Sequence, residues 1–311
     1  MSEKNTEELE LHWNVQIQQN IDKVSSCDLA SILSCDNKQK ENFELWKFYD
    51  TNVWIRNEEN LSGSRPTVRK WFYELLWNIE WKYILDVWCG TWIDSKFFAE
   101  SWASWIWLDI SKESLKVANR LLKWNENRKF LNENFMEFDE KWIFDIIVFS
   151  MWIMHYKEME PIFAKLSTLL KPGGKVLLTT NNPFLVCKDF FVKYPKDWED
   201  IEYIHMLWEH RDIAVTKYVH PIWNYVYNAN NQWLSLSLCQ KQAVYGPETS
   251  AFNNPTPEDP TIPNFIAFLY IKDWENNFLE NEDIKSIADR IETFIKMPLK
   301  KWNYSREILK I

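Results

Sequence analysis

Glycine is scarce in this chain. It occurs 5 times in 311 residues, where average usage of about 7% would give roughly 22. Tryptophan is as abundant as glycine is rare, at 20, and the two counts together come close to the glycine number expected for this length. Long apolar runs are also missing. None reaches the ~18 residues of a membrane-spanning helix, so no membrane span is expected. The opening Met1-Ser2-Glu3-Lys4-Asn5 is polar and lacks the apolar stretch of a secretory signal. The five cysteines (Cys27, Cys35, Cys89, Cys187 and Cys239) show neither CxxC nor metal-ligand spacing. An odd, scattered set fits a reducing cytoplasm better than a disulfide framework. Positive charge is in deficit, with 36 Lys+Arg against 45 Asp+Glu and a formal net charge of −9. That balance argues against a general nucleic-acid binder, whose affinity rests on basic surface.

What is present is an alternation of strands and helices. Apolar strands are expected at Tyr83–Val87, Ser104–Asp109, Arg128–Asn132, Ile143–Ser150 and Lys175–Thr180. Helical runs lie at Ile93–Glu100, Lys112–Lys123 and Met159–Leu170. Such spacing means a parallel sheet with helices on both faces, an α/β fold. Three parts are expected: an N-terminal helical extension or cap over residues 1–80, an α/β domain over 81–272, and a C-terminal helical tail over 273–311. Val68–Ile79 reads as an amphipathic helix with Phe72, Leu75, Leu76 and Ile79 on one face. Beyond Asn181, a helix is expected at His220–Asn230, strands at Leu234–Cys239 and Asn264–Ile271, a proline-rich loop at Gly246–Pro263, and a last helix at Asp283–Ile295. No internal repeat is visible.

Residues 84–92 read Ile-Leu-Asp-Val-Trp-Cys-Gly-Thr-Trp. With glycine at positions 88 and 92 the segment becomes ILDVGCGTG, and in that form it resembles the first motif of the class I S-adenosylmethionine (SAM) methyltransferases. Ile106-Trp107-Leu108-Asp109 is similar to the IGLD of that family's second strand, and Leu170-Lys171-Pro172-Gly173-Gly174 to its LKPGG turn. The resemblance covers roughly residues 81–240. It implies a Rossmann-like sheet of seven strands, mostly parallel with one antiparallel strand, flanked by helices. In this family N-terminal helices often cover the cofactor and substrate, a role that stands beside plain packing for residues 1–80.

Tryptophan at 88 and 92 stands where such a loop needs glycine, because only glycine enters the positive-φ region freely and lets a ligand approach the backbone. Trp102, Trp124 and Trp233 fall just after helical stretches, at positions that favour glycine. We expect most of these tryptophans to stand for glycine in the natural protein, through a gene in which UGA encodes glycine. Trp198 and Trp274 sit in polar surroundings with no turn signal and are read as genuine.

The resemblance implies a cofactor site for SAM. Asp86, at the end of the first strand, is expected to hold the amino-acid end of the cofactor; the alternative is an aspartate starting a tight turn. Trp88, Gly90 and Trp92 mark the loop whose backbone faces it. Asp109, ending the second strand, is placed to accept hydrogen bonds from both ribose hydroxyls, while Ser111 suits the N-cap of the next helix. Ile110 is placed to pack on adenine, Asn134 and Phe135 lie after the third strand near the adenine amino group, and Ser150 ends the fourth. His155 is the candidate catalytic base, with a structural histidine as the alternative. His220 and Tyr225 are weaker candidates for the acceptor pocket. Asn181-Asn182-Pro183-Phe184 is read as a loop, since it follows the fifth strand and lacks the double proline of amino-methylating enzymes.

Methyl transfer needs mainly proximity and orientation, because the sulfonium is already activated, and sometimes a base for the acceptor proton. The expected function is therefore SAM-dependent methyl transfer to a small-molecule acceptor. An RNA or protein methyltransferase is the second reading, and it lacks a basic surface or appended binding module here. A non-catalytic methyltransferase-like binding protein is the third, and it gains weight if Trp88 and Trp92 are genuine. The sequence sets no oligomeric state.

Overall fold

The computed structural model describes residues 70–90, 102–121, 128–141, 143–189, 194, 201–207, 210–243, 263, 265–273, 278–297, 299 and 305–311. All of them belong to one compact unit that spans 46–311. Trp92, the helix read at Ile93–Glu100, Trp124, Trp198, Trp274, most of the 1–80 extension and the proline-rich stretch up to 262 lie outside the described residues.

In chain order the elements are β1 (Tyr83–Val87), β2 (Ser104–Asp109), α1 (Lys112–Leu121), β3 (Arg128–Asn132), β4 (Phe144–Ser150), α2 (Glu160–Leu169), β5 (Leu170–Asn181), α3 (Pro183–Asp189), β6 (Ile201–Leu207), β7 (His210–Val219), α4 (Ile222–Asn230), β8 (Leu234–Ala243), β9 (Phe265–Lys272), α5 (Asn281–Lys296) and β10 (Ser305–Lys310). The main sheet has eight strands in the order β10-β8-β9-β5-β4-β1-β2-β3. Strands β1 to β5 are mutually parallel. β9 runs antiparallel to β5, β8 antiparallel to β9, and β10 antiparallel to β8.

Two features correct the expected seven strands. Ser305–Lys310 adds an eighth strand, pairing Ser305 with Ala243 through Lys310 with Leu238, so two strands, β9 and β10, run against the rest. β6 and β7 form a separate antiparallel hairpin between α3 and α4. The expected LKPGG turn is also drawn into β5. There the pairing with β4 slips between Phe144 and Ile146, Gly173 takes φ +75°, and a Cβ on Gly174 would meet the Lys171 carbonyl oxygen at 2.8 Å. The bulge absorbs those residues without ending the strand.

Both faces of the sheet are buried, as parallel sheets require. On one face Leu85, Val87, Ile147, Phe149, Val176 and Leu178 pack with α2, α4 and α5. On the other Ile84, Ile146, Val148 and Leu177 pack with Leu115, Val117 and Ala118 of α1 and with Phe72, Leu75 and Leu76. Those last three lie on a helical segment that begins by residue 70 and ends in a 3₁₀ turn, Glu74–Leu76. It stops short of the expected Ile79 because Trp77 turns into positive φ.

Candidate active site

The strand order reverses between β1 and β4, since β2 and β3 lie on one side and β5 on the other. In open α/β sheets this switch point, at the carboxyl ends of the strands, is where ligands bind. Asp86, Asp109 and Ser150 stand at or next to the carboxyl ends of β1, β2 and β4, and Trp88 and Gly90 follow β1. Asp86 is buried at the end of β1, opposite Val148 of β4 and Trp107 of β2. After β1 the chain folds back onto β2: the amides of Trp88 and Cys89 both donate to the Leu108 carbonyl, over 2.8 and 3.2 Å. Trp88 at φ +59° and Gly90 at φ +59° make that reversal.

Asp109 holds the loop. Its Oδ2 accepts the Gly90 amide at 2.7 Å and its Oδ1 accepts the Ser111 amide at 2.8 Å. Ser111 is the N-cap of α1, its Oγ accepting the Ser114 amide at 3.1 Å, which is the division of labour read from the sequence. Asn132, which sequence reasoning passed over, donates through Nδ2 to the carbonyls of Asp109 and Ile110 at 3.1 and 2.8 Å. It locks the end of β3 to the end of β2. Ile110 is partly exposed at this edge.

Asn134 caps its own turn, with Oδ1 accepting the Met136 amide at 3.1 Å. Phe135 is fully buried, edge-on to Phe149 at 5.5 Å, so its ring belongs to the core. Ser150 shares a 2.8 Å hydroxyl hydrogen bond with Thr179 of β5. The next residue, Met151, has φ +59° and donates its amide to the Thr179 carbonyl at 2.9 Å.

His155 ends a 3₁₀ turn, Ile153–His155, just past β4. Its ring lies 4.6 Å from that of Trp152, and Trp152 in turn stacks on Trp88 with centroids 4.5 Å apart. The two indoles therefore meet across the switch point. Trp152 went unnoticed in the sequence because its link to Trp88 exists only in space. Burial pushes the Tyr156 phenol above its ordinary value, with the nearby Trp88 indole pulling the other way. The β7 strand packs against the Ile153–His155 turn, so the β6–β7 hairpin borders the site at His155.

His220 directly follows β7, and Tyr225 lies on α4. His220 is buried edge-on to Tyr225, and Tyr225 stacks on Phe268 in the core. Asn182 does not form the expected loop. It is buried, its Oδ1 accepts the Phe184 amide, and its Nδ2 donates to the Pro263 carbonyl at 2.8 Å. It caps α3, with Pro183 in the first helical position. No helix among the described residues is long and apolar enough to cross a membrane.

Comparison with known proteins places this geometry. Residues 84–174 match the family model described as a methyltransferase domain. A ubiquinone biosynthesis O-methyltransferase of Leptothrix cholodnii is 28% identical over an alignment covering 45% of this chain and 63% of that protein. The match thus spans less than two thirds of that relative's length. Among solved structures, the 1,6-didemethyltoxoflavin-N1-methyltransferase of Burkholderia thailandensis superposes with a TM-score of 0.52 at 14% identity, covering 77% of this chain and 92% of that one. A SAM-dependent methyltransferase from Methanosarcina mazei gives 0.50 at 16%, covering 65% and 97%. At these identities the structural likeness shows the fold.

Proposed function

Because residues 84–174 match the model of a methyltransferase domain, we propose that the chain is a class I methyltransferase that binds SAM at the β1–β4 switch point and transfers the methyl group to a small molecule. The observation that carries this reading is the closed unit of Asp109, Gly90 and Ser111 at the ends of β1 and β2. A carboxylate beside a turned-in loop, at the carboxyl edge of a parallel sheet, is the arrangement that recognises a ribose diol.

In this reading Asp86 and the backbone of residues 88–92 face the amino-acid end of the cofactor. Asp109 accepts from the ribose, Ile110 packs on adenine, and the Asn134–Phe135 backbone meets the adenine edge. Ser150 sits where the methionine end meets the acceptor. His155 stands within reach of the same edge and takes the acceptor proton. The protein's remaining contribution is alignment of the acceptor atom with the methyl group for in-line displacement. A small acceptor is favoured by the net charge of −9 and by the hairpin bordering the His155 side. The curated relative and the toxoflavin enzyme, by name, also act in small-molecule chemistry.

The test is calorimetric titration of S-adenosylhomocysteine into the Trp88→Gly/Trp92→Gly/Trp152→Gly protein, followed by screening of metabolite pools with methyl-labelled SAM. Saturable binding with label transferred to a low-mass product is expected. Absence of binding in a folded protein refutes the reading, and label in RNA or protein alone moves the acceptor to those classes. One observation favours a non-catalytic fold for the chain as written: the Trp88–Trp152 stack lies across the switch point itself.

A further inference from the structure

Five non-glycine residues in the described structure have positive φ: Trp77 (54°), Trp81 (61°), Trp88 (59°), Met151 (59°) and Trp233 (63°). Four of the five are tryptophan. The left-handed region is strained for an L-residue, and for a bulky side chain it is a true outlier. Three of these tryptophans are exposed, and two of them make weak surface contacts, Trp77 with the Lys175 ammonium at 5.5 Å and Trp81 with the Trp102 ring at 5.9 Å. Trp77, Trp81 and Trp233 are 70%, 78% and 45% exposed. Their backbones, by contrast, have clear duties. Trp77 ends the 3₁₀ turn and donates its amide back to the Glu74 carbonyl. Trp81 lies within the turn in which the Lys82 amide reaches the Ile79 carbonyl at 3.2 Å. Trp233 follows α4 and donates to the Asn230 carbonyl at 3.1 Å, the left-handed exit that helices give to glycine.

We propose that the natural protein carries glycine at 77, 81, 88 and 233, and at 152 where the indole fills the switch point, through a genetic code that reads UGA as glycine. Composition and conformation reach this independently at 77, 81, 88 and 233; at 152 the backbone is ordinary, with φ −119°, and the argument is the indole stacked on Trp88. The counts show tryptophan in the number that glycine lacks, and the φ angles show tryptophan at the places where glycine is required. Removing the stacked indoles of Trp88 and Trp152 opens the space between the ends of β1 and β4. The backbone argument stands whether or not that space binds SAM.

Two measurements test it. The first is the mass of the tryptic peptide Tyr83–Lys96 from the protein purified from its natural source, read beside the codons for 77, 81, 88, 152 and 233. UGA codons with peptide masses for glycine support the proposal; UGG codons, or masses for tryptophan, overturn it. The second compares each of Trp81→Gly and Trp233→Gly with Trp81→Ala and Trp233→Ala. Alanine removes the indole but keeps the Cβ, so the difference between the pair isolates the backbone. The glycine variants are expected to melt above both the parent and the alanine variants by about 2–4 °C. Equal melting of glycine and alanine variants overturns the claim that these backbones require glycine. A change of code leaves both results independent of methyl transfer, so loss of the SAM reading would not mimic either outcome.

Discussion

The Gly90 amide donates to Asp109 Oδ2 over 2.7 Å, tying the loop after β1 to the end of β2. A single buried carboxylate thereby fixes the loop, and its other oxygen, through Ser111, fixes the start of α1. The same side chain is the one proposed to meet the cofactor ribose. Structural and binding roles therefore converge on Asp109 and must be separated by experiment.

Asp109→Asn does this, because it keeps the shape and one acceptor oxygen while removing the charge. In the glycine-restored protein it should weaken S-adenosylhomocysteine binding by about 1–3 kcal/mol, the scale of leaving hydroxyls poorly paired. The thermal midpoint should move less than in Asp109→Ala, since Asn still accepts from one of the Gly90 and Ser111 amides and Ala from neither. Unchanged affinity in both variants by calorimetry removes Asp109 from the site.

His155 makes the contrasting prediction. As an acceptor base it should leave cofactor affinity untouched while controlling turnover. His155→Gln in the glycine-restored protein is expected to lower kcat by about 10²-fold or more, with S-adenosylhomocysteine binding unchanged. A variant with full turnover removes this histidine from the proton transfer and leaves it a structural residue of the Ile153–His155 turn.

Much of this arrangement is legible from local sequence. Tyr83–Val87 and Phe144–Ser150 are nearly continuous apolar runs, as central strands buried on both faces must be, and the Ser111 cap stands just before its helix. Other parts have no local signature. Ser305–Lys310 is a short edge strand rich in charge, with Arg306, Ile308 and Lys310 exposed, and charge is how edges avoid further pairing. Its partner β8 lies far back in the chain, so neither segment announces the other. The Asn182 cap is legible in principle, since Asn-Pro is a helix-start signal; weighing the segment only against a catalytic motif it does not complete leaves it a loop. Trp152 and Thr179 enter the site only through strand register, which no single-segment pattern encodes.

The end of the sheet holds a buried cation. Lys241 is fully buried, and its Nζ donates to the carbonyls of Phe294 and Met297 at 2.7 and 2.9 Å and pairs with Glu307 of β10 at 3.2 Å. It thus joins β8, the end of α5 and the last strand. Glu307→Ala leaves that charge with the Phe294 and Met297 carbonyls and the Phe294 ring, 4.4 Å away, and should cost about 1–3 kcal/mol. Urea unfolding gives the midpoint, and amide exchange over 305–310 should accelerate. Stability and exchange equal to the parent would show that the carboxylate contributes nothing.

Alkaline pH should destabilise the fold through buried phenols and thiols. Burial raises Tyr156, Tyr194 and Tyr270 above the ordinary 10.0, with Glu292 beside Tyr194 adding to its shift. Burial likewise raises Cys187 from 9.0 to about 11 and lifts Cys239 further. In the unfolded chain these groups lose protons near 9.0 and 10.0; in the folded chain they keep them to higher pH. The folded state therefore binds more protons in that window, and stability falls as pH rises through it. The contribution is fully present below about pH 9 and is lost above it. Lys272 works the other way: burial against the Ser167 and Leu170 carbonyls lowers it from 10.5, so it sheds its proton first in the folded state and regains stability as pH rises. Among the described residues one lysine stands against four phenols, Tyr83 being raised as well by burial and Glu140, and two thiols, so the net slope is downward. Urea midpoints measured from pH 8 to pH 11 should decline, with the onset near pH 9 softened in Cys187→Ala. The same burial should leave Cys187 and Cys239 unlabelled by iodoacetamide at neutral pH until urea unfolds the chain. A flat pH profile, or rapid labelling of the native protein, would show that these groups are not held away from water.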